Sequence, residues 1–352
     1  DELEIDPALG PDGRFLAYVG GTNGALRLLV RQLAGEGDPI EVAKGVGGNQ
    51  RVPQWLPDGN GLLFQANGSI YRVPTLGGPA QIAVEGTAEQ PAENPVPSPD
   101  GERLAYTQGA EILVRPMGGG DPTVLVRDGS AHSLGWDASG RRLVYVSGNR
   151  EFILGEGLFG NVAPSRVRIV GADGGRPIDV TDGQRLAASP LWWDDRTIVF
   201  VSNSGGVRDL YAQPLTGDGR PRGNPKRLTT GFNAFAARRR PDGGGLVVAV
   251  LEQATNLWRM PLPTSGVSSM RQAEPITTGD QIVEDVDVLT GSGWLTFDSN
   301  REGNQDIYLL SDGFGRPIQI TRDSSDEFGP AWSPNGKEIA YYAIKNGIRH
   351  LF

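Results

Sequence analysis

A short turn signature recurs along the whole chain, and its spacing is the strongest constraint on the fold. Each copy has an aromatic or apolar residue, then Pro-Asp-Gly or a variant of it, then alternating apolar residues. Copies follow one another roughly every 45 residues, which is the length of a unit of four short strands. The clearest copies are PALGPDGRFLAYV from Pro7, PQWLPDGNGLLFQ from Pro53, PVPSPDGERLAYT from Pro95 and PAWSPNGKEIAYY from Pro330, with degenerate copies from Leu134, Pro190, Ala237 and Val286.

Each repeat is predicted to contain four strands and no helix. Proline presets φ in the turn, aspartate hydrogen-bonds the backbone and glycine takes the unusual dihedral. The alternation after the turn, as in Leu104-Ala105-Tyr106, is typical of a half-buried strand. A third strand carries an aliphatic-aromatic pair such as Ile307-Tyr308, and a short fourth strand ends in threonine. Four-stranded units without helical segments between them favour a β-propeller over a βαβ fold.

The chain is therefore predicted to be a single all-β domain over residues 1–352, a β-propeller of four-stranded blades. Eight blades are preferred because eight units begin, and the last unit is incomplete because the sequence ends at Phe352 after its third strand. A seven-bladed ring with an extra unit is the alternative. The fourth unit is the longest, with an insertion from about Arg150 to Ser165. The units start near residues 7, 53, 95, 133, 190, 237, 286 and 330.

Composition narrows the classes of function. The net charge is −9 and no long basic run occurs, so nucleic acid is not an expected partner. There is no cysteine and there are only two histidines, so we expect no catalytic residues, no metal site and no cofactor. Apolar stretches are too short to span a bilayer, so this segment is not expected to insert into a membrane. No leader is visible at Asp1, and we expect that one was removed or that the chain is an excised domain.

Two resemblances follow from particular segments. PAWSPNGKEIAYY, with FDSNREGNQDIYLL and PIQITRD before it, resembles the repeats of TolB-type propellers, as does FVSNSGGVRDLYAQPL from Phe200. ELEIDPALGPDGRFLAYV and FGNVAPSRVRIVGADGG resemble the C-terminal propellers of bacterial membrane-anchored serine/threonine kinases. The second resemblance implies an extracytoplasmic sensor domain, periplasmic or at the cell surface, tethered through a transmembrane segment outside this sequence. The chain itself has no kinase motif, and it lacks the Gly-x-Ser-x-Gly of the peptidases that also carry such propellers.

Loops that enter the innermost strands are expected to meet at one mouth of the channel. We expect a mainly acidic rim with aromatic interruptions, which attracts a cationic partner or is simply solvated. His132 is read as a pH-sensitive contact or as a backbone-bonded side chain. Arg239 occupies the place of the tryptophan in other repeats, and we expect it to pair with acidic residues or to bind a ligand. The candidate binding residues are Asp6, Arg51, Glu93, His132, Phe235, Arg239, Glu284, Asp285, Asp326, Glu327 and Phe328.

The function expected from these features is non-catalytic recognition of a protein or peptide partner at the channel mouth. Two alternatives stay open. One is assembly, since an incomplete last blade leaves a strand edge that can pair with another chain and cause self-association. The other is a hydrolase or lyase that uses carboxylates in the channel, because a fold does not by itself decide a function.

Overall fold

The computed structural model describes residues 3–22, 24–35, 37–149, 164–205, 207–240, 244–250, 254–279, 281–311, 315–323, 325–345 and 348–352. These residues group into two compact units. Unit 1 comprises Asp1–Ser204 and Arg208–Val250, and unit 2 comprises Gly205–Val207 and Leu251–Phe352. The predicted insertion in the fourth repeat lies almost entirely outside the described residues, as does the Asp242 turn of the sixth. The single-domain arrangement stays a prediction.

Unit 1 contains a run of four-stranded antiparallel sheets, each built from four consecutive strands. They are β1–β4 (Leu3–Leu9, Phe15–Thr22, Ala25–Gln32, Ile40–Glu41), β5–β8 (Arg51–Trp55, Gly61–Ala66, Ser69–Pro74, Gln81–Val84), β9–β12 (Ala92–Pro97, Arg103–Gln108, Glu111–Pro116, Thr123–Arg127), β13–β16 (Ala131–Trp136, Arg142–Ser147, Arg166–Gly171, Gly174–Asp179) and β17–β20 (Ala187–Asp194, Thr197–Gly205, Val207–Pro214, Lys226–Arg227). A two-stranded sheet follows, made of β21 (Ala234–Arg239) and β22 (Leu246–Val250). The predicted repeat of four-stranded antiparallel units is confirmed.

The first strand of each sheet in unit 1 lies against the first strand of the next. β1 contacts β5, β5 contacts β9, β9 contacts β13, β13 contacts β17 and β17 contacts β21. β21 also contacts β1, and Phe235 of β21 packs against Ile5, Val19 and Leu26 of the first sheet. The innermost strands of unit 1 therefore form a closed circuit, and their inward-facing residues come together.

The repeat's tryptophans connect neighbouring sheets. Trp55 of β5 packs with Ala8, Leu28 and Phe64, and its indole N–H donates to the Ala8 carbonyl at 2.8 Å. Trp136 does the same two sheets further on, donating to the Val96 carbonyl at 3.2 Å. A buried tryptophan needs both apolar neighbours and an acceptor for its N–H. The tryptophan of the signature thus supplies inter-sheet packing and fixes the position of the preceding innermost strand.

The aliphatic-aromatic pair of the third strand stacks on the second strand. Phe64 and Tyr71 lie opposite each other on β6 and β7, with ring centroids 5.5 Å apart, and Phe297 and Tyr308 repeat the arrangement in unit 2 at 5.8 Å. Directly opposed aromatic residues are favourable cross-strand pairs. The aromatic residue of the aliphatic-aromatic pair therefore recurs because it stacks on an aromatic residue of the second strand, and it does so in both units.

Unit 2 contains one four-stranded and one three-stranded sheet. Its strands are β23 (Trp258–Arg259), β24 (Glu274–Pro275), β25–β28 (Val286–Val288, Leu295–Ser299, Asp306–Leu310, Ile318–Gln319) and β29–β31 (Glu327–Trp332, Ile339–Lys345, Ile348–Leu351), with one 3₁₀ turn at Met270–Gln272. The predicted three strands of the last repeat are confirmed.

The sixth repeat departs from the predicted four-stranded unit. Its strands form two separate two-stranded sheets, β21–β22 in unit 1 and β23–β24 in unit 2. The segment after β23 contains Pro261 and Pro263, which cannot donate to a strand ladder. It also leaves Leu262 and Val267 exposed, so it lacks the buried apolar face that holds the other outer strands in place.

Candidate functional site

A small cavity lies between the innermost strands of unit 1, and it is called the central cavity below. Its volume is about 50 Å³. Every innermost strand of the unit contributes to its lining, which includes Asp6 of β1, Arg51 of β5, Asn94 of β9, Ser133 of β13, Ser189 of β17 and Arg238 of β21. The circuit of strands therefore brings polar side chains from six repeats to one place.

The same backbone feature recurs at the cavity wall. Each innermost strand of unit 1 has a shift in its register with the second strand, so one residue bulges out of the ladder. In five of these strands the residue at or next to the bulge has a positive φ: Asp6 (52°), Val52 (51°), Asn94 (53°), Ser133 (53°) and Ser189 (47°). Such values are unusual for residues with a side chain and most unusual for valine. All five residues line the cavity.

Hydrogen bonds between neighbouring repeats hold these bulges in place. The Val52 N–H donates to Asp6 Oδ2 at 3.0 Å, and the Ser133 N–H donates to Asn94 Oδ1 at 3.3 Å. Ser189 Oγ accepts from the Ala237 N–H at 2.9 Å. A side chain at one bulge thus fixes the backbone of the next innermost strand. The surrounding structure over-determines the strained conformations, which is the condition under which they persist.

A buried ion pair crosses the cavity wall. Arg51 Nε donates to Asp6 Oδ2 at 2.7 Å, and the two side chains are 9 % and 12 % exposed. Burial by itself raises the pKa of Asp6, but the Arg51 charge and hydrogen bonds outweigh burial, and the net effect is a lowered pKa. Asp6 is therefore ionised at neutral pH and serves as a charge partner.

Two further guanidinium groups line the cavity. Burial lowers the pKa of Arg208 to about 10. Burial also lowers the pKa of Arg238, against the opposing effect of the Asp6 carboxylate, and its Nη1 donates to Ser189 Oγ at 3.0 Å and to the Ala237 carbonyl at 2.9 Å. The charged groups of the described lining are thus one carboxylate and three guanidiniums. The acidic rim predicted for the mouth stays a prediction.

Of the candidate residues in unit 1, Asp6, Arg51 and Phe235 line the central cavity. Glu93 is half-buried and adjoins the cavity-lining Asn94 without belonging to the described lining. His132 is 0 % exposed, and its Nε2 donates to the Gly148 carbonyl at 2.8 Å. The backbone-bonded interpretation of His132 is therefore the correct one, and its inclusion among the partner-binding residues is wrong.

Arg239 also differs from its prediction. It is exposed, and its guanidinium lies over the Trp193 ring, 5.3 Å from the centroid. The cavity receives Arg238 instead. Arg239 holds the tryptophan position of its repeat, as Trp55 does, and that position lies against the neighbouring repeat. The residue before it faces the cavity, as Gln54 does, so Arg238 takes the inward place.

Most of the described lining was missed in the sequence, including the polar residues Arg208, Arg238, Asn94, Ser133 and Ser189. A signal for the bulges exists, because Asp6, Asn94 and Ser189 each precede the proline that opens a repeat. Val52 precedes Pro53 in the same way, and in unit 2 Gly329, with φ 59°, precedes Pro330. The residue before the first proline of a repeat is thus the sequence position that predicts a bulge with positive φ. No comparable signal marks Arg208, which lies at the start of a third strand.

The other candidate residues lie in unit 2, where acidic groups gather. Asp298 is buried and accepts hydrogen bonds from the backbone N–H groups of Glu284 (2.7 Å) and Gly329 (3.2 Å). Partial burial, and then the charges of Asp298, Asp285 and Asp326, raise the pKa of Glu284 to about 7. Two of the predicted acidic residues, Asp285 and Asp326, are therefore close enough to affect a third, Glu284.

Glu327 lies in the interior of unit 2, not at a rim. It is 1 % exposed, and burial followed by hydrogen bonding with Asp323 raises its pKa to about 9. No hydrogen-bond partner among the described residues is recorded for its Oε2, and the raised pKa fits a protonated carboxyl whose single O–H donates to a neighbouring aspartate, Asp323. Phe328 is also buried and stacks on Tyr342 with ring centroids 5.5 Å apart. Burial corrects the assignment of Glu327 and Phe328 as surface contacts.

Among the residues that the structure describes, no group of three or more histidine, aspartate or glutamate side chains is arranged to hold a metal ion. In the same part of the chain, no helix is long and apolar enough to cross a membrane.

No family model matches the chain. One curated relative, the uncharacterized protein Atu1656 of Agrobacterium fabrum, is 30 % identical over 100 residues, which are 27 % of this chain and 34 % of that protein. The match thus spans about a third of the relative's length.

Solved structures show the fold class. The GH74 enzyme of Niastella koreensis is similar over 99 % of this chain and 65 % of its own, with 14 % identity and a TM-score of 0.53. A puromycin-hydrolyzing peptidase of Mycobacterium tuberculosis is similar over 97 % of this chain and 57 % of its own, with 16 % identity and a TM-score of 0.52. A putative TolB from Agrobacterium tumefaciens covers 85 % of this chain and 89 % of its own, with 18 % identity and a TM-score of 0.39. The protein is all-β, with repeated four-stranded antiparallel sheets that are consistent with a β-propeller.

Proposed function

We propose that this chain is a non-catalytic recognition module that binds a protein or peptide partner at the central cavity of unit 1. One observation carries the proposal. Five innermost strands each place a residue with positive φ on the same cavity, at Asp6, Val52, Asn94, Ser133 and Ser189. Each such conformation costs about 1–3 kcal/mol, and strained residues gather where a protein is preorganised to bind.

The chemistry of the lining favours binding over catalysis. Asp6 is the carboxylate of the described lining, and the Arg51 charge keeps it ionised. A general acid or base needs a pKa near the working pH and access to the substrate. Glu284, whose pKa is near 7, lies in unit 2, and Glu327 is too deeply buried to touch a substrate. These features support a site that holds a partner through fixed charges and hydrogen bonds.

The proposal includes a place for the module outside the cytoplasm of a bacterium. It rests on the resemblance of residues 2–19 and 159–175 to propellers that follow a membrane-anchored kinase, which makes this module a sensor of such a protein. A rigid ring of strands is suited to that role because it presents a binding site without rearrangement.

A second candidate function is assembly through a strand edge. The last sheet of unit 2 has three strands, and its outer strand, β31, pairs with β30. Leu351 and Phe352 at this edge are 80 % and 49 % exposed. An exposed apolar edge can pair with another chain. Sedimentation analysis of the wild type and of Leu351→Lys tests this candidate, which requires the wild type to self-associate and the variant to be monomeric.

Selection of peptides separates the first proposal from the second. A random peptide library is displayed against the purified chain, and selected peptides are measured against wild type, Gln54→Trp and Gln81→Trp. Gln54 lines the central cavity, so tryptophan there fills it, whereas Gln81 is an exposed residue of the outer strand β8 and is the matched control. Thermal melting confirms that both variants fold.

The proposal predicts peptides that bind wild type and Gln81→Trp equally and bind Gln54→Trp about tenfold more weakly or worse, a loss of at least about 1.4 kcal/mol. Equal binding to all three proteins places the site elsewhere and contradicts the proposal. A library that yields no binder also contradicts it.

A further inference from the structure

A second cavity of unit 1 lies between the fourth and fifth sheets, and it is called the side pocket below. One wall is the connection between β16 and β17, and the other is made by β18, β19 and the segment 221–225. Its volume is about 470 Å³, and whole small-molecule ligands fill pockets of about 300–1,000 Å³. The side pocket therefore has room for a complete small molecule.

Hydrogen bonds hold both walls of the side pocket in place. Gln213 of β19 is 1 % exposed, and its Nε2 donates to the Gly223 carbonyl at 3.1 Å, which ties the segment 221–225 to the sheet. On the other wall, Thr181 Oγ1 accepts the Val167 N–H at 3.0 Å, which ties the connection to β15. A preformed pocket suits binding, because little free energy is lost in ordering the site.

The charges in the described lining of the side pocket balance. Arg166 and Arg185 are the cations, and Asp179 and Asp182 are the anions. Arg166 Nη1 lies 3.5 Å from Asp179 Oδ2, so opposite charges are also adjacent within the wall. A charged ligand that leaves water needs a compensating charge, and a balanced lining offers no surplus of either sign. This balance favours a neutral ligand.

Hydrogen-bond donors and acceptors stand side by side in the lining. The contacts of Gln213 Nε2 fix the orientation of its amide, and no donor to its Oε1 is found in the described part of the chain. The exposed carboxylate of Asp182 adds further acceptors. The amide of Asn224 and the hydroxyl of Thr181 supply donors. A hydroxyl group is both a donor and an acceptor, so a ligand with several hydroxyls satisfies both kinds of partner.

Buried apolar side chains lie beneath these polar groups. Val180, Leu186 and Phe200 line the side pocket and are 2–3 % exposed. A saccharide ring has a matching division, with C–H groups on its faces and hydroxyls around its edge. The lining therefore suits such a ring better than a uniformly polar or a uniformly apolar molecule.

We infer that the side pocket binds a neutral, polyhydroxylated small molecule, a small saccharide. Its polar contacts are Thr181, Asp182, Gln213 and Asn224. This site goes beyond the proposed function, because Leu186 is the single residue that its described lining shares with that of the central cavity.

Neutral sugars are the probes that test the inference. Glucose, galactose, xylose, maltose and cellobiose are titrated separately into the whole chain, and saturation transfer to their ring protons reports binding. Three comparison compounds are titrated at the same ionic strength. Glucuronate and glucosamine carry a charge on a similar ring, and tert-butanol has an apolar body with a single hydroxyl.

Variants locate the site. Ser204→Trp fills the side pocket from its exposed rim, and Asn224→Ala removes one polar contact. Gln81→Trp and Gln81→Ala, on the exposed outer strand β8, are the matched controls. Gln54→Trp fills the central cavity instead. Thermal melting confirms that each variant folds.

We expect at least one neutral sugar to bind the wild type saturably, no binding of tert-butanol, and no tighter binding of glucuronate or glucosamine. Ser204→Trp is expected to weaken sugar binding about tenfold or more, and Asn224→Ala to weaken it about threefold to tenfold through loss of a hydrogen bond. Both Gln81 variants and Gln54→Trp are expected to bind the sugar as the wild type does.

The inference is overturned if none of the five sugars binds, if tert-butanol binds as well as they do, or if a charged analogue binds much more tightly. These comparisons use the wild type alone, so they do not depend on the folding of a variant. Sugar binding that survives Ser204→Trp, or that is lost in Gln54→Trp alone, also overturns it by placing the site elsewhere. Peptide selection at the central cavity succeeds or fails independently of these results.

Discussion

Asp6 and Arg51 form an ion pair between two neighbouring repeats, with Arg51 Nε and Asp6 Oδ2 2.7 Å apart and both side chains nearly buried. The same carboxylate oxygen accepts the Val52 N–H at 3.0 Å. One side chain therefore compensates a buried cation and holds a strained strand. Asp6 and Arg51 lie 45 positions apart in the sequence, so the pair also joins the first repeat to the second.

Asp6→Asn removes the charge and is expected to destabilise the protein. Removal of one partner from a buried ion pair leaves the other charge uncompensated, which costs about 3 kcal/mol. Urea denaturation of wild type, Asp6→Asn and the control Asp121→Asn, an exposed aspartate, measures the effect. If the two variants lose the same small amount of unfolding free energy, the ion pair does not stabilise unit 1.

Lowering the pH is expected to destabilise the protein through protonation of Asp6. The pKa of Asp6 is lower in the folded protein than in the unfolded chain, so the unfolded chain binds more protons between the two values. The contribution of Asp6 to stability is complete above the unfolded pKa and is lost as the pH falls toward the folded pKa. As the pH falls below about 5, the unfolding free energy should therefore fall more steeply for wild type than for Asp6→Asn. Parallel curves for the two proteins contradict the assignment.

Because of Glu327, the unfolding free energy is expected to depend on pH in the opposite direction at higher pH. Its pKa is raised from 4.5 to about 9 in the folded protein, so the folded state binds more protons in that interval. Its contribution is complete below the unfolded value and is lost as the pH rises through the folded value. The unfolding free energy should fall from about pH 5 to pH 9, and Glu327→Gln, which keeps a donor in place of the protonated acid, should reduce that slope.

The matched control for Glu327→Gln is Glu338→Gln, an exposed residue of the same unit. Some slope is expected to remain in Glu327→Gln, because the pKa of Glu284 is raised to about 7 and acts with the same sign. An unchanged slope in Glu327→Gln shows that Glu327 is ionised at neutral pH and contradicts the buried carboxyl arrangement.

Gly86 is expected to tolerate no side chain. A Cβ there would lie 2.0 Å from the Gly68 carbonyl oxygen and 2.5 Å from the Ala92 nitrogen, and both atoms belong to the backbone. Overpacking of this kind costs about 1–3 kcal/mol or more. Gly118→Ala is the control, since a Cβ at Gly118 meets nothing within 4 Å. Thermal melts should show a clear loss for Gly86→Ala alone, and equal melting temperatures refute the close approach.

The strands and the repeat could be predicted because their causes are local. A turn such as Pro99-Asp100-Gly101 follows from the conformational preferences of its own residues, and the strand after it shows its alternation directly in the sequence. The Phe64–Tyr71 pair shows the same, because each residue sits at a fixed position after the turn. These features need no knowledge of distant parts of the chain.

The charge of the cavity could not be predicted because its causes are not local. Arg238, one residue before the tryptophan position, faces the cavity, whereas Arg239 lies over the Trp193 ring of the neighbouring repeat. His132 lies on an innermost strand like Asp6, yet packing of the surrounding sheets buries it against the Gly148 carbonyl. Arg208 reaches the cavity from a third strand, which the repeat pattern assigns to the sheet interior. Such outcomes depend on register and packing between repeats.

Amide hydrogen exchange of the chain with and without a selected peptide is the most direct test of the central claim, which is that the bulged strands of unit 1 form the recognition site. We predict that bound peptide slows exchange in the segments that contain Asp6, Val52, Asn94, Ser133 and Ser189, and leaves exchange in the outer strand β8 unchanged. Slowed exchange confined to the β31 edge, with no change at these five residues, would contradict the claim and favour assembly through that strand.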